Sequence, residues 1–171
     1  MVEGESGVGK STLASTVIER CRARGHAVWV ASGEQGEQHL DLGVAAQLLD
    51  TTSASVLPDG RGGVPPAPLR GATRLLRRIR EATADGPLLV VVDDAHWCDA
   101  ASLRSIGYAV RRLGDSPVLW VFLHRPTTDL RTLGRICRDG AGERIVLGPL
   151  TATQVAAVVS DALGIRMSPA A

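Results

Sequence analysis

Short apolar runs alternate along the chain with longer stretches whose apolar residues recur every three or four positions. The longer stretches predict helices and the short runs predict strands. The expected helices cover residues 11–24, 42–49, 69–84, 130–137 and 151–163, with one more after Asp99, and the expected strands cover residues 26–31, 88–92, 118–123 and 144–147. Strands that alternate with helices in this way predict a three-layer α/β/α fold with a mostly parallel sheet.

Three segments add detail to this outline. Residues 88–92 are apolar at every position, which is typical of a strand buried on both faces of a parallel sheet. In the first helix, Leu13, Val17 and Cys21 share one face at a spacing of four residues. Residues 51–68 are rich in Gly, Pro and Ser, which predicts an exposed loop.

A glycine-rich segment matches the phosphate-binding pattern G-x-x-x-x-G-K-[ST] in full over residues 4–11. Glycines there permit positive φ, so that backbone N–H groups can surround phosphate oxygens, and the following helix adds its positive N-terminus. Lys10 supplies a charge for the β- and γ-phosphates, and the Ser11 hydroxyl suits Mg²⁺. The predicted nucleotide-binding residues are Gly4, Glu5, Ser6, Gly7, Val8, Gly9, Lys10, Ser11 and Thr12.

Two carboxylates end the apolar run at residues 88–92. The carboxyl edge of a parallel sheet is where ligands bind in open α/β folds. Asp93 is therefore expected to hold Mg²⁺ together with Ser11, and Asp94 to orient or deprotonate an attacking water. The alternatives are a chance glycine-rich turn and a plain strand end, and finding both motifs in one chain argues against each.

Composition narrows the function classes. The 19 basic residues comprise one lysine, Lys10, and arginines, and they nearly balance 18 acidic residues to give a net charge of +1. That balance argues against binding a polyanion by bulk charge, and 3% aromatic residues argue against a stacking platform for single-stranded nucleic acid. The sequence shows no membrane-spanning run, signal peptide, zinc pattern or disulfide framework, so a cytoplasmic location is expected.

Residues 93–102, Asp-Asp-Ala-His-Trp-Cys-Asp-Ala-Ala-Ser, resemble the signature of the AAA-type ATPase domain in large ATP-binding LuxR-family transcriptional regulators, which are signal-transduction ATPases with numerous domains. Residues 47–49, 123–126 and 147–151 resemble further parts of that domain. The resemblance implies a P-loop NTPase that uses ATP and Mg²⁺ as a nucleotide switch. It also places Arg125 where it would sense the γ-phosphate; the alternative is a surface arginine before a proline.

The chain departs from that family at both ends. The family has a full hydrophobic strand before the phosphate loop, of which this chain offers only Met1 and Val2, so we expect the first strand to be largely missing and its neighbours to be left unpaired. The expected organisation is an N-terminally truncated ATPase core over residues 1–150 and the start of a helical lid over 151–171. Because the family's sensor and helix-turn-helix regions are absent, we expect a fragment, a truncated gene or a misplaced start codon.

Several assignments stay open. His96 and Trp97 either pack beneath the site, the favoured reading, or contact nucleotide. The simplest interpretation of Asp99 and Ser102 is that they cap a helix. Packing is the favoured role of Cys98, and a structural role that of His124. The arginines of the helix at 69–84 (Arg70, Arg74, Arg77, Arg78 and Arg80) form a solvated face more readily than a DNA-binding face.

The expected function is a slowly hydrolysing Mg-ATP switch in a LuxR-type regulator. Alternatives are a nucleotide-binding module without turnover, a non-functional remnant, and the ATPase module of a cyclase-fused signalling protein. The 93–102 signature argues against a small-molecule kinase. Self-association is allowed, whereas direct DNA binding by this segment and membrane association are not expected.

Overall fold

A parallel five-stranded sheet forms the middle layer of the protein. The structure is a computed structural model, and it describes residues 1–50, 67–126 and 131–164. The strands are β1 (Val2–Glu3), β2 (Ala27–Ser32), β3 (Leu88–Asp93), β4 (Val118–His124) and β5 (Ile145–Val146), arranged in the order β2-β3-β4-β1-β5. Because each strand pairs in parallel with its neighbours, the carboxyl ends of all five lie on one edge of the sheet. The predicted parallel α/β fold is confirmed.

Helices cover both faces of the sheet. They are α1 (Lys10–Ala23), α2 (Gly43–Asp50), α3 (Ala67–Ala84), α4 (Ala100–Leu113), α5 (Arg131–Asp139) and α6 (Ala152–Leu163). Alternate residues of β3 divide the core: Leu89 and Val91 pack with α1 on one face, and Leu88, Val90 and Val92 pack with α2 to α5 on the other. A strand buried on both faces must be apolar throughout, which is the pattern that predicted it.

Most predicted elements lie within two residues of their observed bounds, and the end of the predicted loop before α3 is wrong in detail. Helix α3 begins at Ala67, inside the stretch predicted as loop, because Pro68 is tolerated in the first turn of a helix. The remainder of that loop, residues 51–66, lies outside the described residues. Leu13 does not join the core and is 37% exposed, whereas Val17 and Cys21 pack against the α1 side of the sheet.

The short first strand explains the exposure of Leu13. Val2 and Glu3 pair with Leu123 and His124 of β4 on one side and with β5 on the other, so β1 is central even though it has two residues. Among the described residues, positions 118–122 of β4 have no paired strand on the side where β1 lies. A cavity of about 550 Å³, lined by Leu13, lies beside this open stretch. The expectation of unpaired neighbours therefore holds for residues 118–122 of β4 and not for Leu123 and His124, which pair with β1.

The last helix extends from the core. Thr151 caps α6 in a reciprocal arrangement with Gln154, and none of the helix residues is buried. Its apolar side chains Val155, Val158 and Leu163 are exposed. Among the described helices, none is long and apolar enough to cross a membrane.

Candidate functional site

The phosphate loop connects the end of β1 to the start of α1. Gly7 and Gly9 have φ values of 79° and 102°, a left-handed conformation that glycine adopts without strain. At Gly4, a Cβ would lie 2.7 Å from Val8 Cγ1 and 2.9 Å from the Leu147 carbonyl oxygen, so only glycine fits. The predicted positive φ is confirmed at the two inner glycines. The side chains of Glu5, Ser6 and Thr12 are exposed at the rim of the loop.

Lys10 is folded into the loop it belongs to. Its ammonium donates hydrogen bonds to the carbonyl oxygens of Gly4 and Glu5, both at 2.8 Å, and the residue is 7% exposed. Lys10 is also the first residue of α1, where backbone N–H groups have no intrahelical partner. One short segment thus combines a buried ammonium with the positive end of a helix, the combination that suits an anion.

The two motifs meet at Ser11 and Asp93. The Ser11 hydroxyl donates to Asp93 Oδ2 at 3.2 Å, although 82 positions separate the residues in sequence. The other oxygen, Oδ1, accepts a hydrogen bond from the backbone N–H of Asp94 at 2.8 Å. A hydroxyl and a carboxylate side by side at the mouth of a phosphate loop are hard oxygen ligands, and they fit Mg²⁺.

Asp94 adopts a left-handed conformation, with φ 42° and ψ 43°, at the turn that follows β3. The end of β2 crosses this turn closely: a Cβ on Gly33 would lie 2.6 Å from the Asp94 carbonyl oxygen and 2.9 Å from the Cys98 backbone nitrogen. The Gly33 N–H also donates to the Asp93 carbonyl at 3.0 Å. Gly33 therefore allows the turn that carries Asp94. Sequence reasoning missed it, because the one available signal was a glycine after a predicted strand.

Replacing Gly33 by alanine is expected to displace the Asp94 turn, since the new methyl group would meet backbone atoms that cannot rotate away. Overpacking of this kind costs about 1–3 kcal/mol. Urea unfolding of the two proteins measures that cost. Gly36→Ala is the matched control, because a Cβ at Gly36 has no heavy atom within 4 Å. Equal losses of stability in the two variants would contradict the role of Gly33.

His96 lies in the short 3₁₀ turn Ala95–Trp97, beside the carboxylate of Asp94. Its side chain is 5% exposed, and Nδ1 lies 3.8 Å from Asp94 Oδ1, beyond hydrogen-bonding distance. Among the described residues, neither ring nitrogen has a hydrogen-bond partner. Burial lowers the pKa of His96, Asp94 opposes this effect, and the nearby Arg125, His124 and Lys10 act in the same direction as burial. The ring lies at a tilt against Trp97, with the ring centroids 4.7 Å apart, and the choice between packing and nucleotide contact stays a prediction.

Asp99 and Ser102 join the starts of two helices. Asp99 Oδ1 accepts from the backbone N–H groups of Ser102 at 2.7 Å and Leu42 at 2.9 Å, and the Ser102 hydroxyl accepts from Ala45 at 2.8 Å. The predicted cap of α4 is confirmed, and the additional contacts hold the N-terminal end of α2. Burial raises the pKa of the neighbouring Cys98 to about 12, which suits a packing role for the thiol.

Arg125 follows β4 and is exposed at the same edge of the sheet, close enough for its charge to affect His96. The arginines predicted as a solvated face lie on α3. Arg77 and Arg78 pair with Glu81, at 3.7 Å and 2.9 Å, in agreement with the solvated reading. The structure therefore brings Lys10, Ser11, Asp93 and Asp94 into one site, with Arg125 at its border.

Comparisons with known proteins agree with this fold. An uncharacterized protein of Rhizobium meliloti (strain 1021) is 27% identical over 74% of this chain, which spans 16% of that relative. The Pyrobaculum aerophilum Cdc6p structure matches with a TM-score of 0.64 and 15% identity, over 94% of this chain and 41% of that one.

The Aeropyrum pernix Orc1 structure in complex with DNA matches with a TM-score of 0.61 and 18% identity, over 95% of this chain and 42% of that one. The chain thus spans about two fifths of each of these two structures. These matches at low identity show the fold. A model of the AAA ATPase domain family matches residues 1–121, well over half of the sequence. The chain therefore belongs to the AAA ATPase domain family.

Proposed function

We propose that this domain binds ATP with Mg²⁺, hydrolyses it slowly, and acts as a nucleotide switch in a LuxR-type transcriptional regulator. The observation that carries the proposal is the 3.2 Å contact between Ser11 and Asp93 beside the buried ammonium of Lys10. Residues 1–150 are then the ATPase core, and residues from 151 onward begin a helical lid.

Each residue has a distinct task in this proposal. Backbone N–H groups of residues 4–12 and the Lys10 ammonium bind the phosphates, with the ammonium exchanging its carbonyl partners for phosphate oxygens. Ser11 and Asp93 would hold Mg²⁺, which supplies charge neutralisation at the β- and γ-phosphates. Asp94 accepts a proton from water as the water oxygen bonds to the γ-phosphorus and the bond to the bridging oxygen breaks, leaving ADP and phosphate. Arg125 contacts the γ-phosphate.

A nucleotide-binding module without turnover is the second candidate. The short β1 favours it, because the strand that precedes the phosphate loop pairs with its neighbours through two residues only, and residues 118–122 of β4, within the described part of the chain, are unpaired beside it. The ATPase module of a cyclase-fused signalling protein would use the same site residues.

Phosphate release by the wild-type protein and Asp94→Asn separates the first two candidates. Loss of a general base lowers the rate by about 10²–10⁴-fold, and Asn has nearly the same size, so ATP affinity should change little. Equal rates in the two proteins would contradict the role of Asp94. ATP binding with no phosphate release by the wild type would favour the binding module.

DNA contact is not part of the proposal, although the Orc1 structure contains DNA. The net charge of this chain is +1, and two arginines of α3 pair with Glu81. DNA binding in the proposed regulator would belong to other regions, and self-association of the ATPase core remains part of the proposal.

A further inference from the structure

A buried charged group lies directly below the phosphate loop. Glu3, the last residue of β1, accepts hydrogen bonds from Arg144 Nε at 2.9 Å and Nη2 at 2.7 Å, through its two carboxylate oxygens. The Glu3 side chain is 9% exposed and that of Arg144 is 54% exposed. This fork-to-fork pair fixes the plane of the carboxylate and joins β1 to the start of β5.

His124 lies on the other side of the same carboxylate. It is fully buried, pairs with Glu3 in the parallel register of β1 and β4, and places Nε2 3.7 Å from Glu3 Oε2. The opposite ring nitrogen, Nδ1, lies 3.0 Å from the carbonyl oxygen of Arg125. A carbonyl oxygen can only accept, so Nδ1 is the donor of this hydrogen bond.

The backbone of His124 holds the phosphate loop as well. Its carbonyl oxygen accepts from the N–H of Gly4, the first residue of the loop, at 3.2 Å. One residue thus contacts the start of the phosphate loop, the Arg125 peptide and the Glu3 carboxylate. Removing its side chain would leave this backbone bond in place but would remove the hydrogen bond that orients the Arg125 peptide.

We infer that His124 is a positioning residue that sets Arg125 relative to the phosphate loop, while the Glu3–Arg144 pair lies on the other side of its ring without a hydrogen bond to it. Through this contact Arg125 distinguishes ATP from ADP. The inference rests on the proposed function, since it requires nucleotide in the loop and Arg125 at the γ-phosphate. A histidine that merely fills the core would affect stability, or the binding of both nucleotides equally.

Two polar variants of His124 separate these roles. Asn keeps a donor near the position of Nδ1, whereas Gln extends toward the position of Nε2 and gives up the bond to the Arg125 carbonyl. Calorimetry gives the dissociation constants for ATP and ADP, each measured with Mg²⁺. We expect His124→Gln to lower the preference for ATP over ADP by about fivefold, the scale of one lost hydrogen bond, and His124→Asn to stay within about twofold of the wild type.

The same measurement in an Arg125→Ala background completes the test. If His124 acts through Arg125, His124→Gln should not change the ATP preference further once Arg125 is absent. An unchanged preference in His124→Gln alone, or an equal loss with and without Arg125, would overturn the inference. A wild-type protein that binds ATP and ADP equally would also overturn the inference, but it would leave the proposal of ATP binding intact. A wild-type protein that binds neither nucleotide would overturn both the inference and the proposed function.

Thermal unfolding of each variant controls for folding. Gln keeps a polar group beside the buried Glu3, whereas the shorter Asn leaves space there, so the two melting temperatures are compared with that of the wild type. A lower melting temperature with an unchanged ATP preference would identify His124 as structural and would contradict the inference.

Discussion

Replacing Lys10 by Met is expected to weaken ATP binding by a factor on the order of one hundred, or about 3 kcal/mol, the scale of a charge removed from a buried ion pair. Met has a similar length and no charge, so the phosphates lose their cation while the side chain keeps most of its bulk. Titration calorimetry with Mg-ATP measures the change. Equal dissociation constants in the two proteins would contradict the assignment of the loop.

Two controls sharpen this prediction. Lys10→Arg keeps the charge but introduces a longer, planar group, and we expect it to bind ATP weakly as well, because the loop encloses a compact ammonium. Thermal unfolding shows whether loss of the bonds to Gly4 and Glu5 destabilises the loop before nucleotide is added. A lysine-directed ATP analogue should label Lys10, since the N-terminus is the one other amine that competes.

Replacing Asp99 by Ala is expected to destabilise the protein by about 3 kcal/mol. A lost helix cap costs about 1 kcal/mol, and each buried N–H left without a partner costs about 1–3 kcal/mol. Asp99 is 3% exposed and accepts from Ser102, Leu42 and Val44, so water cannot fully replace it. The melting temperature should fall by about 6–12 °C. Asp99→Asn retains one acceptor oxygen and should lose about half as much stability.

The same carboxylate makes a prediction about pH. Burial by itself would raise the pKa of Asp99, but the hydrogen bonds from Ser102, Leu42 and Val44 outweigh it and hold the pKa below its ordinary value. A lowered folded-state pKa means that this stabilisation is fully present above the unfolded-state pKa of about 3.9 and is lost as the pH falls through the folded-state value. The stability difference between wild type and Asp99→Asn should therefore shrink below about pH 4. A constant difference down to pH 2 would contradict it.

Much of the fold could be predicted from local patterns. The uniform apolar run of β3 predicted its burial, and Leu75, Leu76 and Ile79, which recur at helical spacing, form the buried face of α3. The phosphate loop could be read directly because its residues are contiguous and their backbone conformations follow from glycine itself. The catalytic and nucleotide-binding roles of these residues remain predictions.

The exposure of Leu13 and the close fit at Gly33 both depend on neighbours distant in sequence. Leu13 has helical spacing appropriate to a core residue, but it faces the open stretch beside the two-residue β1. Gly33 appeared to be an ordinary strand end, although the Asp94 turn crosses it at a distance that excludes a side chain. Neither neighbour is encoded in the local periodicity.

The sequence by itself determined the chemistry available to this protein: one ammonium in a glycine-rich loop, a hydroxyl beside it, and two carboxylates after a buried strand. Tertiary structure decided which groups meet. The strand order brings Ser11 to Asp93 across 82 positions and Arg144 to Glu3 across 141. Local periodicity determines which side of an element is apolar, whereas the order and register of strands arise from packing the whole sheet. The sequence therefore predicts the separate parts of the site, and the fold brings them together.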